Sequence, residues 1–281
     1  MTAPIPSVTL PGGDKMPAYG QGTWHMGENR RHAAEEEASL RLGIDLGLTL
    51  IDTAEMYGNG TAEQIVARAA KGRRDELFIV SKVLPHNASQ KGVIEACEQS
   101  LKRLETDRID LYLLHWRGSV PFAETLAGFA RLQRDGKIRH HGVSNFGLGD
   151  MREWVGLAGG DTVASNQILY NLTRRGPEWD AIPWCRERGI PIMAYSPIEQ
   201  GRMLGHKALA EVAAHHRATP AQVALSWLLR QEGMIVIPKA RQEAHLRENM
   251  GALELTLTES DLAALDRSFP PPKDKSPLGM L

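Results

Sequence analysis

The 281 residues carry 33 Lys and Arg against 34 Asp and Glu, a formal net charge of −1, with 42% hydrophobic residues, 24% charged residues and two cysteines. Charge this balanced, with no basic run, excludes an electrostatic footprint for nucleic acid or an anionic membrane, and two cysteines exclude a disulfide scaffold. The opening "MTAPIPSVTLPGG" has neither a basic start nor a long apolar stretch, so no secretory signal or membrane span is expected there. The reading is a cytoplasmic chain, monomer or weak oligomer, that acts on a small molecule.

In chain order, "SVTLPGGDKMP" reads as a hairpin with its turn at "PGGD". Eight β-branched or apolar runs follow: "AYGQGTW", "LTLID", "LFIVSKV", "IDLYLLH", "IRHHGVSN", "VASNQIL", "IPIMAYS" and "MIVIPKA". Stretches of helical period lie between them. In Ser89 to Glu105, for example, Val93, Ile94, Cys97, Leu101 and Leu104 fall on one face. Thr61 with Gln64, and Thr219 with Pro220 and Gln222, have capping-box spacing, and Leu257 to Phe269 reads as a closing helix. Strands alternating with helices predict a parallel sheet, and eight such units predict a (β/α)₈ TIM barrel with the N-terminal hairpin capping its bottom. An open, doubly wound sheet is the rival, but no Gly-x-Gly-x-x-Gly follows the first strand. With no linker or low-complexity tract, residues 1–281 are read as one domain.

In a barrel of this kind, chemistry gathers at the C-terminal ends of the strands. Those ends carry Asp52, Lys82, His115, Ser144, Gln167, Tyr195 and Lys239, and Tyr57 sits in the loop just after Asp52. A tyrosine is a poor proton donor at its ordinary pKa of about 10, and a neighbouring ammonium is expected to lower that value. Lys82 is placed to supply the charge, Asp52 to hold Lys82 charged, and His115 to orient a carbonyl. The set protonates a carbonyl oxygen but includes no reductant, nucleophile or metal motif, so an external hydride donor, commonly a nicotinamide, is implied. Ser144, Asn145 and Gln167 offer partners to a carboxamide, Tyr195 offers a stacking face, and Lys239 and Arg241 offer charge to a phosphate.

At these residues the sequence resembles the aldo-keto reductase family, through "GLTLIDTAEMYGNG", "VSKV", "LYLLHW", "GVSNF", "NQILYN", "AYSPIEQG" and "IPKARQEAHLREN". The resemblance covers nearly the whole chain. It implies an NADPH-dependent barrel with Tyr57 as the acid, Lys82 and Asp52 tuning it, and His115 orienting the carbonyl. It also implies that Ser144, Asn145 and Gln167 hold the carboxamide and that Tyr195 stacks on the nicotinamide. Ser196, Pro197, Ile198, Gln200 and Gly201 would face the pyrophosphate. Lys239, Ala240, Arg241 and His245 would lie around the 2′-phosphate, with Glu248 and Asn249 near adenine. "GQGTWHMGE", "LIDTAEMY" and "LLHWRGS" are most similar to bacterial members that reduce methylglyoxal and related small aldehydes. A sugar or keto-acid reductase on the same scaffold stays open, as does an NADPH-binding regulatory subunit with negligible turnover. Three departures from the family pattern stand out: Ala240 in place of a hydroxyl, His245 in place of an arginine, and Arg117 in place of a proline.

Trp24 and Trp116 are read as pocket walls; Trp154, Trp179, Trp184 and Trp227 as packing. The sequence neighbours His140 with His141 and His215 with His216 point apart, so they are read as solvated or core groups and no metal site is expected. The tail beyond Phe269 has no aromatic residue, which predicts a shallow pocket suited to small carbonyl substrates.

Overall fold

The computed structural model describes residues 4–281. β1 (Ser7–Thr9) and β2 (Lys15–Pro17) form an antiparallel hairpin in which Val8 faces Met16, closed by Leu10 and Asp14 with Gly13 at φ 92°. Eight parallel strands follow: β3 (Gly20–Gly22), β4 (Leu50–Asp52), β5 (Phe78–Val83), β6 (Ile109–Leu114), β7 (Ile138–Ser144), β8 (Asn166–Leu169), β9 (Ile192–Tyr195) and β10 (Met234–Val236). Each pairs with the next in sequence. The ring closes where Tyr19 bridges Val236, with Val236 N–H donating to Ala18 (2.9 Å) and Gly22 N–H to Pro238 (3.1 Å). That approach requires Gly22, because a Cβ there would meet the Ile237 carbonyl oxygen at 2.6 Å. The barrel and its hairpin are therefore as the sequence reads.

Around the barrel lie α1 (Ala33–Asp45), α2 (Thr61–Ala70), α3 (Gln90–Leu104), α4 (Phe122–Arg134), α5 (Leu148–Val155), α6 (Ala181–Arg186), α7 (Lys207–His216), α8 (Pro220–Leu229), α9 (Glu243–Met250) and α10 (Glu259–Ser268). The long interval between Tyr195 and Lys239 holds both α7 and α8. α3 begins at Ser89, whose Oγ accepts from Gly92 N–H, and ends at Glu105 in the left-handed region. The Thr219–Gln222 capping box forms, and a second, Thr258–Asp261, starts α10. The Thr61–Gln64 box does not form. Gly60, at φ 88°, caps α2, which leaves Thr61 inside the helix as its first residue. None of the helices among the described residues is long and apolar enough to cross a membrane.

Two apolar layers follow from the two-residue strand period. Outward-facing residues such as Ile51, Ile79 and Tyr112 pack beneath the helices. Inside, Leu50, Val80, Leu111, Leu113, Met193, Ile235 and Ile237 fill the barrel, and Val8, Leu10 and Met16 from the hairpin region join them and seal the lower end. His140 and His141 separate as expected. His140 faces Asp14 of the hairpin turn at 3.1 Å, whereas His141 bonds Thr162 and stacks on Phe129. Trp154 and Trp227 are core residues, but Trp179 is 48% exposed and does not pack as the sequence reading has it. Since Met16 is fully buried, Met16→Ala is expected to lower the urea-unfolding free energy by about 2–5 kcal/mol. A loss under about 1 kcal/mol would show that the hairpin contributes no plug.

Candidate active site

The inner rows of the strands are apolar until they reach the upper rim. Leu50 is followed two residues on by Asp52, Val80 by Lys82, Leu113 by His115, Met193 by Tyr195 and Ile237 by Lys239. A pleat of period two keeps each second residue on the same face, so the polar groups converge above the apolar fill. Not all of them end a strand. Lys82 is next to last in β5, His115 lies just past β6, Gln167 is the second residue of β8, and Lys239 lies beyond β10.

Lys82 is fully buried and its ammonium makes a closed set of contacts. It donates to Asp52 (2.8 and 2.9 Å), to the Thr53 carbonyl (2.9 Å) and to the Tyr57 hydroxyl oxygen (3.2 Å). Three N–H groups thus serve three partners. Asp52 also accepts from Gln167 Nε2 at 2.7 Å. The other Gln167 donor meets Met193 Sδ, which leaves the side-chain carbonyl oxygen free for a ligand. Beneath this set, Ser81 donates to the buried Glu63 (2.6 Å), which Arg103 also bonds (2.6 Å), fixing β5 to α2 and α3.

Burial, with the Asp52 carboxylate adding to it, pushes the Tyr57 phenol well above its ordinary pKa. The net shift is therefore upward, opposite to the low value expected from the neighbouring ammonium. The lysine's charge is matched by Asp52, and desolvation of the phenolate decides the balance. Burial also lowers the Lys82 pKa, against which Asp52 acts to keep the proton. His115 is pushed down to about 2, first by burial and then by Lys82, so its ring is neutral. Its Nδ1 meets no partner among the described residues. A bare lone pair is less costly to bury than an unpaired N–H, which favours the tautomer with the proton on Nε2.

One cavity of about 710 Å³ spans the rim. Its wall includes Asp52, Tyr57 and His115, then Ser144, Asn145, Gln167 and Tyr195, the turn residues Ser196, Pro197, Ile198, Gln200 and Gly201, and finally Lys239, His245, Trp24 and Trp116. Lys82 sits behind this wall. Ala240, Arg241, Glu248 and Asn249 do not line it. The Ala240 carbonyl accepts from Ser39 and Arg241 pairs with Glu35. Asn249 is buried, while Glu248 is exposed and its carbonyl accepts from Gln222. Tyr195 is held in place by donating to Asn145 Oδ1 (2.9 Å), and Asn145 donates to the His115 carbonyl (3.0 Å).

The sequence reading misses Gly22, His25, Met56, Leu204, Ile237, Met280 and Leu281, all of which line the cavity. For Gly22 and Ile237 the inner-row rule was available; for the others, on loops and the tail, no periodic signal exists. Met280 and Leu281 bring apolar side chains from the tail to the cavity wall. Arg117 bonds Asp150 (2.7 Å) and Glu153 (2.6 Å) and stacks over Phe122, tying the loop after β6 to α5.

Eight parallel strands close a barrel that is plugged at its lower end and carries a Tyr, Lys, Asp and His set at its upper rim. The model of the Aldo/keto reductase family matches residues 19–269, and the chain belongs to that family of oxidoreductases. Methylglyoxal reductase YeaE of Escherichia coli (strain K12) is 48% identical over 279 residues, 98% of each chain. Glyoxal reductase of Bacillus subtilis (strain 168) is 34% identical, over 92% of this chain and 91% of its own. A crystal structure of an aldo-keto reductase from Klebsiella pneumoniae in complex with NADPH superposes with a TM-score of 0.96 at 44% identity, covering 99% of this chain and 100% of that one.

Because His115 is held at about 2, its imidazole is expected to stay neutral from about pH 8 down to pH 4. Nitrogen-15 NMR of the ring tests this, and a titration near the ordinary histidine value would contradict it.

Proposed function

We propose that this protein reduces small aldehydes and 2-oxoaldehydes of the methylglyoxal type to alcohols, with NADPH as the cofactor and Tyr57 as the proton donor. The observation that carries the reading is the Lys82 Nζ to Tyr57 Oη contact at 3.2 Å. The lysine donates to the tyrosine oxygen, so the tyrosine's own proton must point elsewhere, and the cavity is on its other side.

The donor set fits a nicotinamide dinucleotide. Ser144, Asn145 and the Gln167 carbonyl suit a carboxamide, and the Tyr195 ring, fixed by Asn145, suits a flat heterocycle. Ser196 and Gln200 have φ of 47° and 56°, an uncommon backbone that turns the chain along the cavity wall through Gly201, where a diphosphate would lie. Lys239 and His245 line the far end and Arg241 stands behind them. When bound, the reduced nicotinamide supplies the hydride.

Everything else is the work of the chain. His115 Nε2–H donates to the carbonyl oxygen and sets its direction. The Tyr57 phenol keeps its proton at neutral pH because burial and Asp52 raise its pKa, and it yields that proton only as negative charge grows on the carbonyl oxygen. As the phenolate forms, the Lys82 ammonium meets it without rearrangement, since its other two N–H groups stay on Asp52 and Thr53. Trp24, Met56 and Trp116 flank the substrate end of the cavity and exclude water. The names of the relatives support small 2-oxoaldehydes as substrates. The buried free thiols of Cys97 and Cys185 accord with a cytoplasmic setting.

Tyr57→Phe is expected to slow NADPH oxidation with methylglyoxal by about 100-fold or more while NADPH binding, measured by fluorescence quenching, stays near wild type. Retained turnover would remove Tyr57 as the acid. Faster turnover with a bulky ketone than with methylglyoxal would overturn the substrate class.

A further inference from the structure

The segment after β10 carries two cations, Lys239 and Arg241, with Ala240 between them, and α1 lies directly against it. The Ser39 hydroxyl donates to the Ala240 carbonyl at 2.9 Å, fixing the register of the helix on the segment. Residues four apart share a helix face, so this contact carries Glu35, one turn earlier, to Arg241. Glu35 Oε2 lies 3.2 Å from Arg241 Nε, and His32 is a further 3.8 Å neighbour of the same carboxylate. The next residue, Glu36, is buried and accepts from Gly27 N–H at 2.9 Å. Partial burial lowers the Lys239 pKa; the carboxylates of Glu36, Glu28 and Glu35 act in the opposite sense, and Arg241 adds to the lowering. Three acids therefore stand within electrostatic reach of the two cations that a cofactor phosphate would need.

We propose that Glu35 is a cofactor-selectivity residue: by pairing with Arg241 it withholds the second cation from a 2′-phosphate and keeps the site open to NADH as well as NADPH. The inference rests on the cofactor reading above and goes beyond it by naming the residue that limits phosphate preference. A 2′-phosphate gains most from charge-assisted bonds to a guanidinium. Here that guanidinium has a carboxylate partner, and the same carboxylate repels the phosphate. Ala240 contributes no side-chain donor in compensation. Glu35 and Arg241 are both partly exposed, so their pairing is weak. The phosphate can displace Glu35, but it does so against competition.

The test is equilibrium binding of NADP⁺ and NAD⁺ by titration calorimetry to the wild type, Glu35→Gln, Arg241→Ala, the double variant and Lys239→Ala. Glu35→Gln keeps size and helix propensity. It is expected to raise the preference for NADP⁺ over NAD⁺ by about threefold to tenfold, and the gain is expected to vanish in the Arg241→Ala background. An unchanged preference in Glu35→Gln would overturn the proposal, as would an equal gain with and without Arg241. Lys239→Ala separates the two layers. If it weakens NADP⁺ while Glu35→Gln does nothing, only the selectivity role falls. If it leaves NADP⁺ binding unchanged, the phosphate does not lie at this segment, and the placement and the proposal fall together.

Discussion

The buried ion pair between Lys82 and Asp52 is the interaction around which the upper rim is organised. Taking two charges out of water costs several kcal/mol per ion, and such a pair is tolerated only when the remaining protons and lone pairs are also satisfied. Here they are. Lys82 spends its three N–H groups on Asp52, Thr53 and Tyr57, and Asp52 takes a further bond from Gln167. Four segments of chain, β4, the turn after it, β5 and β8, are therefore held to one another through a single ammonium and a single carboxylate. Removing either partner would leave the other buried without its counterion, so the geometry of Tyr57 depends on both.

That arrangement separates two properties of the phenol that the sequence reading joins. The resting tyrosine is kept protonated, because burial and Asp52 oppose its ionisation. In the proposed mechanism the ammonium acts when charge develops on the oxygen, at a distance already set. A proton donor that does not ionise idly, with a cation waiting at its oxygen, suits an acid acting in the transition state.

Much of this was legible in the sequence because the strand period is strict. Alternation fixes which residues face inward, and the polar residue that ends each inner row names the rim: Asp52, Lys82, His115, Tyr195. Helix ends were legible where a side chain closes the cap, as at Ser89 and Thr219, and were misread at Thr61, where Gly60 supplies a left-handed backbone instead. Loops and the tail carry no periodicity. His25, Met56, Leu204, Met280 and Leu281 reach the cavity through tertiary folding that no local pattern encodes. The direction of the Tyr57 shift was hidden for a related reason, since it is set by how deeply the ring is buried. Arg241 could be read as a spare cation from its position in the chain; that α1 brings Glu35 to it is visible only once the helix is placed.

The central claim is that Lys82 acts on the proton given by Tyr57. The most direct measurement is the single-turnover rate of methylglyoxal reduction by NADPH-loaded Lys82→Met, with NADPH affinity and thermal unfolding recorded on the same preparation. The account predicts a rate lower by about 100-fold or more, with the cofactor still bound and the barrel folded. A rate within about threefold of wild type would mean that the proton, or the charge that stabilises its loss, comes from elsewhere.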